Sequence, residues 1–150
     1  MPADSESVRT WRPLGVRVVG VMISAGLLVV VAMAWFGFDQ ETRDKFTAIQ
    51  MLTILGFGLL AGSVLYALMR SRVEAHPDRL VVVNGYRRRE FTWPQVVAVH
   101  MPPGAPWATL DLANGETTSA MGIQGSDGDR ARTAVRELRQ LLNEHSAPEQ

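Results

Sequence analysis

Hydrophobic and polar positions are segregated along this chain rather than mixed. Residues 18–38 and 46–69, 21 and 24 in number, contain no Asp, Glu, Lys, Arg or His. At about 1.5 Å rise per residue, such runs reach roughly 31 and 36 Å as helices, enough to cross a hydrocarbon core of about 30 Å. The pattern therefore predicts transmembrane helices over residues 14–38 and 46–69, joined by a short loop at 39–45. Trp11 and Trp35-Phe36 flank the first span and Tyr66 lies near the end of the second, at the headgroup level that amphipathic rings prefer.

From Val73 onward the period changes. Leu80-Val81-Val82-Val83 is a strand pattern, Asn84-Gly85 a two-residue hairpin turn with positive φ at both residues, and 86–91 the returning strand. Residues 96–100 form the next strand, and Pro102-Pro103-Gly104-Ala105-Pro106 breaks the ladder. A second hairpin, 108–112 and 116–120, turns at Asn114-Gly115. With a short segment at 73–75 this makes about six strands. Ala131, Ala134, Val135, Leu138, Leu141 and Leu142 then recur at helical spacing, behind a capping-box pattern of Ser126 and Asp129. The expected organisation is a flexible cytoplasmic N-terminus at 1–13, the helical hairpin, a cytoplasmic domain at 70–146 whose strands curl into a small barrel capped by the helix, and a disordered tail at 147–150.

Charge adds direction to this picture. Arg9, Arg12 and Arg17 precede the first run, Arg70, Arg72 and Arg79 follow the second, and the loop between them carries three acids and two bases. By the positive-inside rule the loop is external and both termini are cytoplasmic, which places the chain in the cell membrane as a multi-pass protein. A cleaved signal peptide is the rival for the first span, since Ala32-Met33-Ala34 resembles a cleavage site, but the apolar run continues past it through Phe38. The spans lack the ionisable residues that mark transport pathways. Gly20-x-x-x-Ser24 and Gly58-x-x-x-Gly62 are candidate helix-packing positions, within the hairpin or across a homo-oligomer face. The 15 basic and 15 acidic residues balance, which argues against nucleic-acid binding, and the absence of cysteine excludes disulfides, thiol nucleophiles and Cys-ligated metals.

Two spans, an Asn84-Gly85 hairpin, Tyr86-Arg87-Arg88-Arg89-Glu90-Phe91, then Thr92-Trp93-Pro94-Gln95-Val96, a further hairpin and a terminal helix resemble the bacterial PH-like domain proteins of actinobacteria. The nearest type is the membrane-anchored low-molecular-weight protein antigen 6 group. The resemblance implies a small PH-like antiparallel barrel or sandwich capped by a C-terminal helix, and a non-enzymatic module that docks a protein segment or a lipid headgroup at the inner membrane face. A full PH fold has seven strands, so the seventh is either hidden near 122–124 or missing from an abbreviated barrel. Eukaryotic PH domains that grip phosphoinositides use a Lys…Arg-x-Arg set; Arg87-x-Arg89 resembles its end, without the upstream Lys.

Arg70, Arg72, Arg87 and Arg89 are accordingly the candidate headgroup or partner contacts, since juxtamembrane basic residues gain about 1 kcal/mol each at an anionic surface. The competing reading makes the strand arginines solvated and paired with Glu90 or Asp78. Trp93, beside Pro94, reads as core, while Trp107 is open between core and binding surface. His76, His100 and His145 have no metal-ligand spacing, and neither a metal nor another cofactor is expected. The bilayer and an unidentified protein are the expected partners. Two other functions remain in view: an enzyme using Asp111, Glu116, His100 or Asp127 as acid–base groups, and a small accessory subunit held in a larger membrane complex by its hairpin.

Overall fold

Within residues 8–146, which the computed structural model describes, the chain begins as a strand, β1 (Arg9–Trp11). It then leaves the barrel entirely. The first charge-poor run forms α1 (Leu14–Gly37), a short helix α2 (Gln40–Asp44) occupies the connecting loop, and the second run forms α3 (Ala48–Arg70). The local signals explain these boundaries. Asp39 caps α2 by accepting from the Thr42 N–H at 3.1 Å, and Thr47 with Gln50 forms a reciprocal capping box that starts α3. Both long helices are exposed along most of their length, with Leu28 70%, Phe36 79% and Ile49 77% accessible.

The barrel resumes at β2 (Arg72–Ala75), which pairs antiparallel with β1 in the register Arg9↔Ala75, Thr10↔Glu74 and Trp11↔Val73. The strands β3 (Arg79–Asn84) and β4 (Arg87–Thr92) complete a four-stranded sheet of order β1-β2-β3-β4. A 3-10 turn at Trp93–Gln95 leads into a second sheet of β5 (Val96–His100), β6 (Trp107–Leu112) and β7 (Thr117–Gln124). The helix α4 (Asp129–Ser146) closes the molecule. Seven strands in two antiparallel sheets with a capping helix form a PH-like fold, and the seventh strand is β1. It lies neither near 122–124, which extends β7, nor within residues 70–146, but inside the 1–13 segment expected to be flexible. Residues 1–7 of that segment and the tail at 147–150 lie outside the described residues.

Two turns differ from expectation for identifiable reasons. Asn84 pairs with Arg87, so the β3–β4 turn is Gly85-Tyr86. Only Gly85 has positive φ, +59°, which fits the type II′ pattern with glycine first. The Asn84 side chain is used elsewhere: its amide donates to the Ser119 carbonyl and its oxygen accepts from the Met121 N–H at 3.0 Å, tying β3 to β7. Likewise α4 starts at Asp129 rather than from a Ser126 cap, because residues 125–127 make a separate 3-10 turn and Gly128 follows at φ +58°.

The core lies between the sheets and under α4. Leu80, Val82 and Phe91 from the first sheet meet Val99, Leu110 and Ile123 from the second, and Ala131, Val135, Leu138 and Leu142 seal them from the helix. The sheets approach closely where β7 crosses β2: a Cβ on Gly122 would lie 2.6 Å from the backbone of Arg72 and Val73, so only glycine fits. On the outer face, Val83 sits between Arg72 and Arg88 and Val81 between Glu74 and Glu90 in register. The ion pairs Arg72–Glu74 and Arg88–Glu90 flank these two buried valines with their aliphatic stems.

Candidate functional site

The functional geometry is concentrated where the helical hairpin meets the barrel. Pro13, at the N-cap of α1, has no side chain that can satisfy the free N–H groups of the first turn. Asp127 supplies that function from across the fold, its two carboxylate oxygens accepting from Leu14 N–H at 3.0 Å and Gly15 N–H at 2.8 Å. A carboxylate at a helix N-terminus also favours the macrodipole. Alongside it, the Trp11 indole N–H donates to Glu137 of α4 at 3.0 Å, so Trp11 serves the barrel wall rather than a headgroup flank.

The end of α3 is held by the β3–β4 turn. Ser71 accepts from the Gly85 N–H at 3.0 Å and donates to the Ala67 carbonyl at 3.1 Å. A Cβ on Gly85 would lie 3.3 Å from the Ala67 methyl. The Tyr86 hydroxyl lies 2.7 Å from the Ser63 hydroxyl and donates to the Ser63 carbonyl at 3.0 Å. The Arg70 guanidinium carbon sits 5.8 Å from the Tyr66 ring centre and 5.7 Å from that of Tyr86, within cation–π range of both.

Between these two attachments opens a cleft of about 260 Å³ lined by Arg12, Arg17, Tyr66, Met69, Arg70 and Arg72. Its lining contains no carboxylate. Arg72 is paired with Glu74 outside the cleft, and this guanidinium, helped by His76 and opposed by burial, holds the Glu74 carboxyl below its ordinary range. Among the described residues, Arg12, Arg17 and Arg70 make no salt bridge.

Of the four arginines singled out in the sequence, the structure therefore brings together Arg70 and Arg72 and separates the other two. Arg89 donates to Thr118 at 3.0 Å and lines a different groove with Phe91, Gln95 and Leu112. Arg87 is exposed at the start of β4. Glu90 takes Arg88 at 2.7 Å and Arg79 at 3.4 Å, and Arg79 also contacts Asp78 at 2.9 Å. Arg12 and Arg17 were visible only as topology signals; their partnership with Arg70 depends on β1 pairing with β2, which no local pattern announces.

The remaining candidates disperse. Gly20 is buried, with Met69 of α3 3.1 Å from where its Cβ would be, and Ser24 is half-buried one turn on. Gly58 and Gly62 look onto open space, so the hairpin does not use that face. Trp93 is 4% exposed, stacked on His145 at 4.3 Å between ring centres, with its N–H directed at the His76 and Pro77 carbonyls. Trp107 is half-buried. His100 and Asp111 do approach to 2.6 Å, but on the exposed surface of the second sheet; Glu116 is exposed in the β6–β7 turn, and Asp127 is committed to α1. No three potential metal-ligating side chains cluster among the described residues.

A two-sheet barrel closed by one helix and interrupted by an apolar hairpin defines a PH-like module. Residues 70–141 match the bacterial PH domain family. Uncharacterized proteins of Mycobacterium bovis and Mycobacterium tuberculosis are 34% identical over 137 residues, spanning 88% of this chain and 84% of theirs. The chain belongs to this bacterial PH domain family, in its actinobacterial branch. The family match begins at the last residue of α3 and omits β1, whereas the mycobacterial alignment covers too much of the chain to leave the hairpin out. No solved structure matches the chain.

Proposed function

We propose that this protein is a membrane-anchored, non-enzymatic PH-like docking module, with α1 and α3 crossing the cell membrane and the barrel and both termini on the cytoplasmic side. The observation that carries the reading is the β1–β2 pairing. It joins the chain before the hairpin to the chain after it, so both hairpin ends must lie on one side of any bilayer it spans. The exposed apolar side chains of the two helices form a surface that water would not tolerate but lipid would. Arg17 and Arg70 bracket this surface, and the positive-inside rule assigns their end to the cytoplasm. PH domains are interaction modules, and the one pair of acid–base candidates that meets, His100 and Asp111, lies on the exposed surface of the second sheet, which agrees with a role in docking a lipid headgroup or a protein segment.

Because the sequence contains no cysteine, single-cysteine variants report sidedness directly. In intact cells a membrane-impermeant maleimide labels Glu41→Cys, between the helices, and labels Glu144→Cys, on α4, only after lysis. Both variants remain in membranes after carbonate washing. The opposite labelling pattern, or carbonate release, overturns the proposal. The open face at Gly58 and Gly62 favours a second reading, an accessory subunit that packs α3 against another membrane protein or a second copy. Gly58→Leu or Gly62→Leu then reduces recovery of the complex while the barrel still folds.

A further inference from the structure

We propose that the cleft lined by Arg12, Arg17, Tyr66, Met69, Arg70 and Arg72 binds the phosphate of an anionic glycerophospholipid, an inference that rests on the membrane-anchored reading. The site belongs to the junction of hairpin and barrel rather than to the barrel's own strand arginines. Its basic residues come from both sides of the hairpin, Arg12 and Arg17 from the entry to α1 and Arg70 and Arg72 from the exit of α3. A concave surface lined by four guanidinium groups, of which only Arg72 has a carboxylate partner, keeps a surplus of positive charge on Arg12, Arg17 and Arg70 that an anion would neutralise, and guanidinium forks match phosphate oxygens.

Three features select a lipid phosphate over a soluble one. Arg17 and Arg70 adjoin the two charge-free runs, so the cleft opens at the level where lipid phosphates lie. Tyr66 and Tyr86 enclose Arg70 at that level, and Tyr86 is anchored to Ser63, about 10 Å further along α3 at 1.5 Å per residue. Met69 adds an apolar wall to the cleft, and the exposed helices beyond it provide a surface for acyl chains. The Asp127 carboxylate already occupies the Leu14 and Gly15 N–H groups, so the arginine side chains, not the helix end, provide the binding groups.

The test uses the full-length protein in a neutral detergent, titrated with dioctanoyl phosphatidylglycerol, dioctanoyl phosphatidylcholine, glycerol phosphate and inorganic phosphate, with thermal stability and intrinsic fluorescence as readouts. Phosphatidylglycerol is expected to raise Tm saturably and to bind at least tenfold more tightly than the other three probes. Arg17→Gln and Arg70→Gln, made separately, each weaken that binding about fivefold. Arg87→Gln and Arg136→Gln leave it unchanged. Equal binding of phosphatidylcholine, equal binding of the soluble phosphates, or wild-type affinity in both Arg17→Gln and Arg70→Gln overturns the proposal. Lys at either position restores part of the affinity, which separates charge recognition from a packing defect. The same variants carried in the Glu144→Cys background remain cytoplasmic and carbonate-resistant if only the lipid site is wrong; loss of that behaviour marks failure of the anchoring itself.

Discussion

At the scale of single residues, the side chains that matter most connect distant parts of the chain. Asp127 caps α1 from the far end of the second sheet, so Asp127→Ala is expected to destabilise the protein by about 1 kcal/mol, as loss of a helix cap does. Thermal unfolding in detergent micelles measures it, and Asp127→Asn should retain part of the stability. Gly122 lies against the β2 backbone, and Gly122→Ala is expected to cost about 1–3 kcal/mol through overpacking, whereas Gly58→Ala, facing open space, leaves the midpoint unchanged. Glu74 gives the pH dependence a sign. Its folded-state pKa is depressed by Arg72, so its contribution is present above the usual value of 4.5 and is lost as pH falls from there through the depressed value. The Tm advantage of the wild type over Glu74→Gln should therefore shrink between neutral and acidic pH; an advantage that grew on acidification would contradict the assignment. None of these roles was legible locally: an Asp after a serine, a glycine in a strand and an Arg-x-Glu pair are each common patterns, and only the fold makes them partners.

Secondary-structure elements were much more readable. The two long helices follow from the length of their charge-free runs, whereas β6 and the Leu face of α4 follow from periodicity, because burial on one face imposes a period of two or 3.6 on the residues themselves. β1 escaped that reading because three residues, Arg9–Trp11, are too few to show a period, and because they are separated from the rest of the barrel by a hairpin of another character. For α4 the expectation is quantitative. Leu138 is fully buried beneath it, and Leu138→Ala should remove about 2–5 kcal/mol, read from denaturant unfolding, while the exposed Arg136→Ala changes it little.

For the whole molecule, the helices interrupt a domain rather than precede one. Trp11 and Val73 are register partners, so the ends of the interruption are adjacent in space. Replacing residues 14–70 by a short glycine-rich turn should therefore give a water-soluble barrel with all seven strands. A chain that begins at residue 70 lacks β1, leaves the β1-facing edge of β2 unpaired and is expected to self-associate through that edge. Size-exclusion chromatography and amide exchange at β2 distinguish the two.

The same interruption orders biogenesis. β1 is synthesised before the hairpin and its partner after it, so on the membrane-anchored reading proposed above the four-stranded sheet stays incomplete until the apolar helices have entered the bilayer and returned the chain to the side it left. A hairpin threaded with its second helix stranded on the wrong side would hold β1 and β2 apart across the membrane, leaving an open sheet edge for cellular proteases and chaperones to find. On that reading, completion of the barrel would act as an internal check that insertion has succeeded, and proteolytic shedding at the membrane surface would release only an unfinished sheet.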